Sequence, residues 1–180
     1  MEHLQYPIGR FSPKEDYSAA EISQFIRSLE TAPENYRQLL ANRSETDLAN
    51  TYREGSWTVR QLVHHVADIH LLNFLRMKKA LTEEDYVATI IHMDDWAATP
   101  DAQSAPVEDS LLMLRGINQR FVYLLRSLDE QVLQRTFYHP TRKIYLSLKQ
   151  FVYMATWHVA HHQGHIELAF GRQPRSFPVS

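Results

Sequence analysis

Residues 58–84, TVRQLVHHVADIHLLNFLRMKKALTEE, run without a glycine or a proline. Leu62, Val66, Ile69, Leu72 and either Phe74 or Leu75 recur at three- and four-residue spacing, the pattern of a helix with one apolar face. Thr58 and Gln61 have the spacing of a capping box, which places the helix N-cap at Thr58. A helix of this length cannot leave its apolar face in water, so it needs other helices or a sheet to cover it.

Three further segments supply helices. In residues 18–42, Ile22, Phe25, Ile26 and Leu29 keep helical spacing, and Pro33 predicts a kink or a break into two pieces. Pro106 occupies the place of a first-turn proline, followed by the acidic Glu108 and Asp109 and by apolar Leu111, Leu114, Ile117, Phe121, Leu124 and Leu125. Ser147 and Gln150 form a second capping-box pattern, and the helix they open ends at Gly171. Residues 6–18 read as an extended arm, and residues 84–105 as a long irregular connection. Around Pro140 and Thr141, two short β-prone pieces predict a small hairpin or a plain loop. The expected fold is all-α: a four-helix bundle forming one domain over residues 1–180.

Composition narrows the function. The 180 residues are 44% hydrophobic and 22% charged, which suits a globular chain able to bury roughly 70% of its unfolded surface. Lys and Arg number 19 against 21 Asp and Glu, with no basic tract, so nucleic acid is not an expected partner. There is no cysteine, so a metal site must use His, Asp or Glu. No apolar run approaches the roughly 18 residues of a membrane span, and MEHLQYPIGRF lacks the pattern of a signal peptide. A cytoplasmic protein without membrane contact is expected.

Seven of the ten histidines fall in two windows, VHHVADIH and WHVAHHQGH. On a helical wheel with His158 at zero, His162 lies at about 40°, His165 at about −20° and His161 at about −60°, all on one face. His158 and His162 are an i, i+4 pair whose ring nitrogens can share a cation; a third ligand must come from elsewhere. Adjacent His64 and His65 point about 100° apart, so only one of them can face a given partner. Asp68 lies one turn beyond His65 and reads as a ligand, a support for one, or a solvated carboxylate. Three histidines with a free fourth position are the pattern of a catalytic zinc site, and neutral imidazoles also suit nickel, cobalt or iron. Val159 stands where a zincin has its glutamate, and the Glu-rich ligand set of di-iron bundles is missing.

Taken together, YPIG, YREGSWTVRQLVHHVADIH, FYHP and WHVAHHQGHIE resemble the DinB/YfiT superfamily over nearly the whole chain. The resemblance is to the YfiT-like branch of metal-dependent hydrolases and thiol S-transferases, which includes bacillithiol transferases. It implies a four-helix bundle of unusual connectivity, usually a homodimer. It implies one divalent metal ion, often zinc or nickel, with His65, His158 and His162 as ligands. The implied substrate is a small molecule, either hydrolysed or conjugated to a low-molecular-weight thiol. Many relatives read HHRGQ where this chain has HHQGH, so Gln163 and His165 depart from the pattern beside the site. His161 and His165 are candidates to line the pocket or support a ligand. The catalytic residues are not identified, and a structural metal site in an interaction protein is the competing reading. Trp57, Tyr153 and Trp157 read as core or rim aromatics, and His64 and His70 as packing residues.

Overall fold

The computed structural model describes residues 2–175 and 177. The chain runs through α1 (Glu2–Gln5), α2 (Ala19–Leu40), α3 (Glu45–Leu48), α4 (Val59–Thr82), α5 (Met93–Ala97), α6 (Pro100–Ser104), α7 (Val107–Arg126) and α8 (Glu130–Leu133). It continues through β1 (Thr136–His139) and β2 (Ile144–Ser147) into α9 (Leu148–Ala169). Among the described residues, no helix is long and apolar enough to cross a membrane.

The capping boxes at Thr58–Gln61 and Ser147–Gln150 form as expected, and two more open α2 and α3. Each satisfies backbone N–H groups that the first helical turn cannot bond internally. Gly171, at φ +67, follows the end of α9 in the left-handed conformation that glycine adopts without strain. Pro106 is the N-cap of α7 rather than its first helical residue.

The long helices have diagonal connections. α2 packs on α7 and α9, and α4 packs on the same two. In a simple up-and-down bundle consecutive helices are neighbours. Here α2 and α4 lie across one diagonal and α7 and α9 across the other. This makes α4 and α9 adjacent and brings the two histidine windows together.

Pro33 does not break α2. A proline inside a helix leaves the carbonyl four residues back without its N–H partner. That carbonyl is Leu29's, and it accepts instead from Asn118 Nδ2 on α7 at 2.8 Å. The side chains of Leu29 and Pro33 are buried, so the helix continues through the core with its polar group answered from across the bundle.

The 84–105 connection is more ordered than expected, because it contains α5 and α6. Side chains of α4 hold it by its carbonyls: Arg60 and His64 reach Ala105, Gln61 reaches Ala97 and Arg76 reaches Thr89. The β1–β2 hairpin is antiparallel, with Phe137 opposite Leu146 and both side chains buried. Residues Glu2–Gln5 of the N-terminal segment are helical, and the rest lies along α9.

Candidate metal centre

His65 sits in the second turn of α4, and His158 and His162 sit one turn apart in α9. One ring nitrogen from each lies within 4.8 Å of the others. His65 Nε2 and His158 Nε2 are 3.2 Å apart. Two nitrogens on a tetrahedral zinc ion at about 2.0–2.1 Å would be about 3.3 Å apart, so this spacing suits a shared cation. The rings meet at steep angles, 69° for His158 with His162 and 78° for His65 with His162.

Electrostatics favour the metal-ready form. Burial pushes His65 down to about 3, with His70 adding to the shift. Burial also pushes His158 and His162 well below the usual histidine range, and their neighbouring histidines lower them further. The rings are therefore neutral near pH 7, with lone pairs free to coordinate. No carboxylate takes part in the trio. A set of three neutral imidazoles, with His65 and His162 buried and His158 half-buried, fits zinc or nickel better than calcium or magnesium, which prefer oxygen.

A second trio, His161, His162 and His165, shares His162 with the first. The hydrogen bonds distinguish their roles. His165 Nε2 lies 3.2 Å from the Gln5 carbonyl, which can only accept, so Nε2 carries the proton. Burial lowers His165 to about 4, so its Nδ1 is an unprotonated acceptor near neutral pH. That Nδ1 is 3.3 Å from His162 Nδ1, which must therefore donate. The consequence is that His162 keeps its Nε2 lone pair for the first trio. His165 thus supports His162 in the way that outer partners fix metal-binding histidines.

Adjacent His64 and His65 have different work. His64 Nδ1 lies 2.7 Å from Ser110 Oγ and Nε2 3.2 Å from the Ala105 carbonyl, so both nitrogens are used in holding α7 and its preceding loop. Among the described residues, Asp68 makes no hydrogen bond to a histidine; burial and the charge of Asp101 raise it to about 6. His161 stacks on Trp157, with ring centroids 4.4 Å apart, and its buried Nδ1 has no partner among the described residues. His70 donates from Nδ1 to Asn118 Oδ1 at 2.8 Å and belongs to the core network that also serves Leu29.

Aromatic groups wall the site. Trp57 lies 4.7 Å from the His65 ring, and Tyr52 stacks on His165 at 4.0 Å. The N-terminal arm closes the other side: Pro7 approaches Gly164 so closely that a Cβ there would sit 3.0 Å from Pro7 Cγ. Trp157 Nε1 donates to the Gly9 carbonyl at 3.2 Å. Tyr153 belongs to the core, between Phe11, Tyr17 and Phe25.

A cleft of about 580 Å³ opens beside His158. Its walls include His139, from the FYHP motif, and Asn73, Arg76 and Arg142, which did not stand out in the sequence. One signal was present: Arg76 lies eleven residues after His65, within about 20° of it on the helical wheel.

A model of the DinB superfamily matches residues 28–166. A relative in Halalkalibacterium halodurans, which bears "metal-dependent hydrolase" in its name, is 37% identical over 93% of this chain and 97% of its own. The solved structure of YfiT from Bacillus subtilis covers 94% of this chain and 99% of its own, at 34% identity and a TM-score of 0.90. It is described as "a probable metal-dependent hydrolase with an unusual four-helix bundle topology". A mycothiol-dependent maleylpyruvate isomerase shares the fold at 17% identity and a TM-score of 0.51, covering 81% of this chain and 60% of its own. With its diagonal bundle and its histidines meeting between α4 and α9, the chain belongs to the DinB superfamily.

Proposed function

We propose that His65, His158 and His162 hold one divalent cation, zinc or nickel, and that the chain is an enzyme acting there on a small molecule. The reaction is hydrolysis or transfer of a low-molecular-weight thiol onto an electrophile. One observation carries the reading: three neutral imidazoles from two helices converge beside an open cleft, and no fourth ligand group joins them among the described residues. Structural zinc sites are closed by four protein ligands, whereas catalytic sites keep a position free.

A divalent cation supplies Lewis acidity there, favouring the deprotonated form of a water or thiol. The chain's own residues prepare the site. His165 holds the His162 tautomer, and Trp57 and Tyr52 shield the rings from water. The cleft gives a substrate access to His158. No carboxylate lines that cleft among the described residues, so nothing corresponds to the glutamate base of a zinc peptidase. The names of the relatives support a metal-dependent enzyme, and the fold is also used by a mycothiol-dependent one.

Elemental analysis of purified protein tests the ligand set. One zinc or nickel ion per chain is expected, lost in His65→Ala and His158→Ala and kept in His92→Ala, whose side chain is exposed. Full occupancy in the first two variants would remove the assignment. Metal-loaded protein is then incubated with a panel of cellular thiols and monochlorobimane. Metal-dependent conjugation supports the transferase; hydrolysis of ester or amide probes without conjugation supports the hydrolase.

A further inference from the structure

The cleft beside His158 has an uneven charge. Its walls carry two arginines, Arg76 and Arg142, and no aspartate or glutamate among the described residues. The chain as a whole has a net charge of −2, so this concentration of positive charge is local.

Arg76 is only 7% exposed, yet no carboxylate lies within ion-pair distance of it among the described residues. Its guanidinium is held by neutral acceptors. Nε and Nη2 donate to the Thr89 carbonyl, and Nη1 donates to Asn73 Oδ1. Three of the five N–H groups of an arginine are thereby used, leaving one on Nη1 and one on Nη2. Burying a guanidinium without an opposing charge is costly, and a ligand that brings the charge removes that cost. Two N–H groups on adjacent nitrogens are also the donor pair that planar and tetrahedral oxyanions accept.

Arg142 stands at the exposed mouth, in the hairpin turn, with its guanidinium over the Phe11 ring at 4.5 Å. No carboxylate pairs with it among the described residues. The stacking positions the charge without neutralising it. Both arginines act on His139 in the cleft wall: burial is the main cause of its fall to about 4, and Arg76 and Arg142 lower it further. Much of the rest of the wall is apolar, including Ile69, Ile90, Ile144 and Met154.

We propose that Arg76 and Arg142 form an anion-recognition subsite, which binds a carboxylate or phosphate group of the substrate while its apolar body lies along the isoleucines and its reacting end reaches His158. This rests on the reading of His158 as part of the metal centre for the direction in which substrate lies. The anion subsite itself can be tested without metal. Arginine then has a specificity role, distinguishing charged substrates from their neutral analogues.

The test uses metal-stripped protein and titration calorimetry with inorganic phosphate, succinate and the neutral succinamide. Saturable binding of phosphate or succinate is expected, with succinamide at least about tenfold weaker, the loss of a charge-assisted contact. Tighter phosphate binding assigns the group to a phosphate, and tighter succinate binding to a carboxylate. Arg142→Gln, an exposed position, is expected to weaken the anion about tenfold with an unchanged melting temperature. Arg76→Lys keeps charge but loses the paired donors, and is expected to weaken binding while charge-independent folding persists. The absence of metal from the assay separates this proposal from the ligand assignment, which fails on occupancy alone. Equal affinity for succinamide, no saturable anion binding, or an unchanged affinity in Arg142→Gln would each overturn the subsite.

Discussion

The bundle buries two polar clusters that are built from similar residues and behave differently. One joins His70 on α4, Asn118 on α7 and the Leu29 carbonyl on α2. There the donors meet acceptors: His70 Nδ1–H points to Asn118 Oδ1, and Asn118 Nδ2–H points to Leu29. The other joins His65, His158 and His162 between α4 and α9, where nitrogen faces nitrogen at 3.2 Å. The first cluster completes its hydrogen bonding with groups of the protein, apart from His70 Nε2, and it lets Pro33 stay inside a helix. The second has converging lone pairs that protein groups leave over. Buried histidines therefore mark a candidate site where the ring nitrogens of several of them converge, and an isolated unpartnered nitrogen such as His70 Nε2 does not.

Substitutions at the two clusters should separate these roles. The largest effect belongs to His158→Ala or His65→Ala, expected to abolish metal binding while the far-UV circular dichroism stays helical. Loss of the fold in both, with metal never tested, would make the clusters equivalent. Asn118→Ala is expected to do the reverse. It leaves the Leu29 carbonyl and the His70 N–H unsatisfied, costing about 2–4 kcal/mol by denaturant unfolding, while the folded protein still takes up metal. Undiminished stability would mean that Pro33 is accommodated in another way. His165→Ala removes the acceptor that orients His162, and a fall in metal affinity of about 10–100-fold is expected from competition with a chelator. Retained affinity would return His165 to the status of a neighbour.

Acid should act on the closed cluster as well. His70 falls to about 4 in the folded chain, from an ordinary value of 6.5, chiefly through burial. A group depressed in this way contributes stability fully above pH 6.5 and loses it as the pH falls toward 4. Apoprotein stability should therefore decline over that window, by up to about 1.4 kcal/mol per pH unit for this histidine. A His70→Gln variant with the same slope as the parent would assign the decline to other groups. The smallest effect is expected from Gly164→Ala, about 1 kcal/mol of thermal stability, because Pro7 must shift to admit the methyl group.

Sequence patterns within one helix were legible, and those needing a second element were not. The apolar spacing and the capping boxes gave the four long helices, and the His158–His162 pair followed from the wheel alone. The choice of His65 over His64 needed family resemblance, because the two residues are equally histidine until Ser110 and Ala105 occupy one of them. The break expected at Pro33 does not occur, because the Leu29 carbonyl finds its donor on α7, 85 residues along the chain from Pro33. Arg76 was silent for a similar reason: a charged residue on a helix ordinarily faces water, whereas Arg76 is buried with its guanidinium on the Thr89 carbonyl of the 84–105 segment. Asp68, which its spacing placed beside His65, makes no hydrogen bond to a histidine among the described residues, and the charge of Asp101 acts on it.

The arm that bonds His165 through the Gln5 carbonyl has a practical meaning. A backbone oxygen, which no side-chain substitution can remove, sets which nitrogen His162 presents to the centre. On the proposed ligand set, metal affinity would then be open to adjustment from outside the cleft. A fusion joined ahead of Glu2, or a strained linker at Pro7, would act as a remote control on the centre without touching a ligand. Conversely, an arm locked against α9 by design would stiffen the coordination geometry and leave the substrate's path clear.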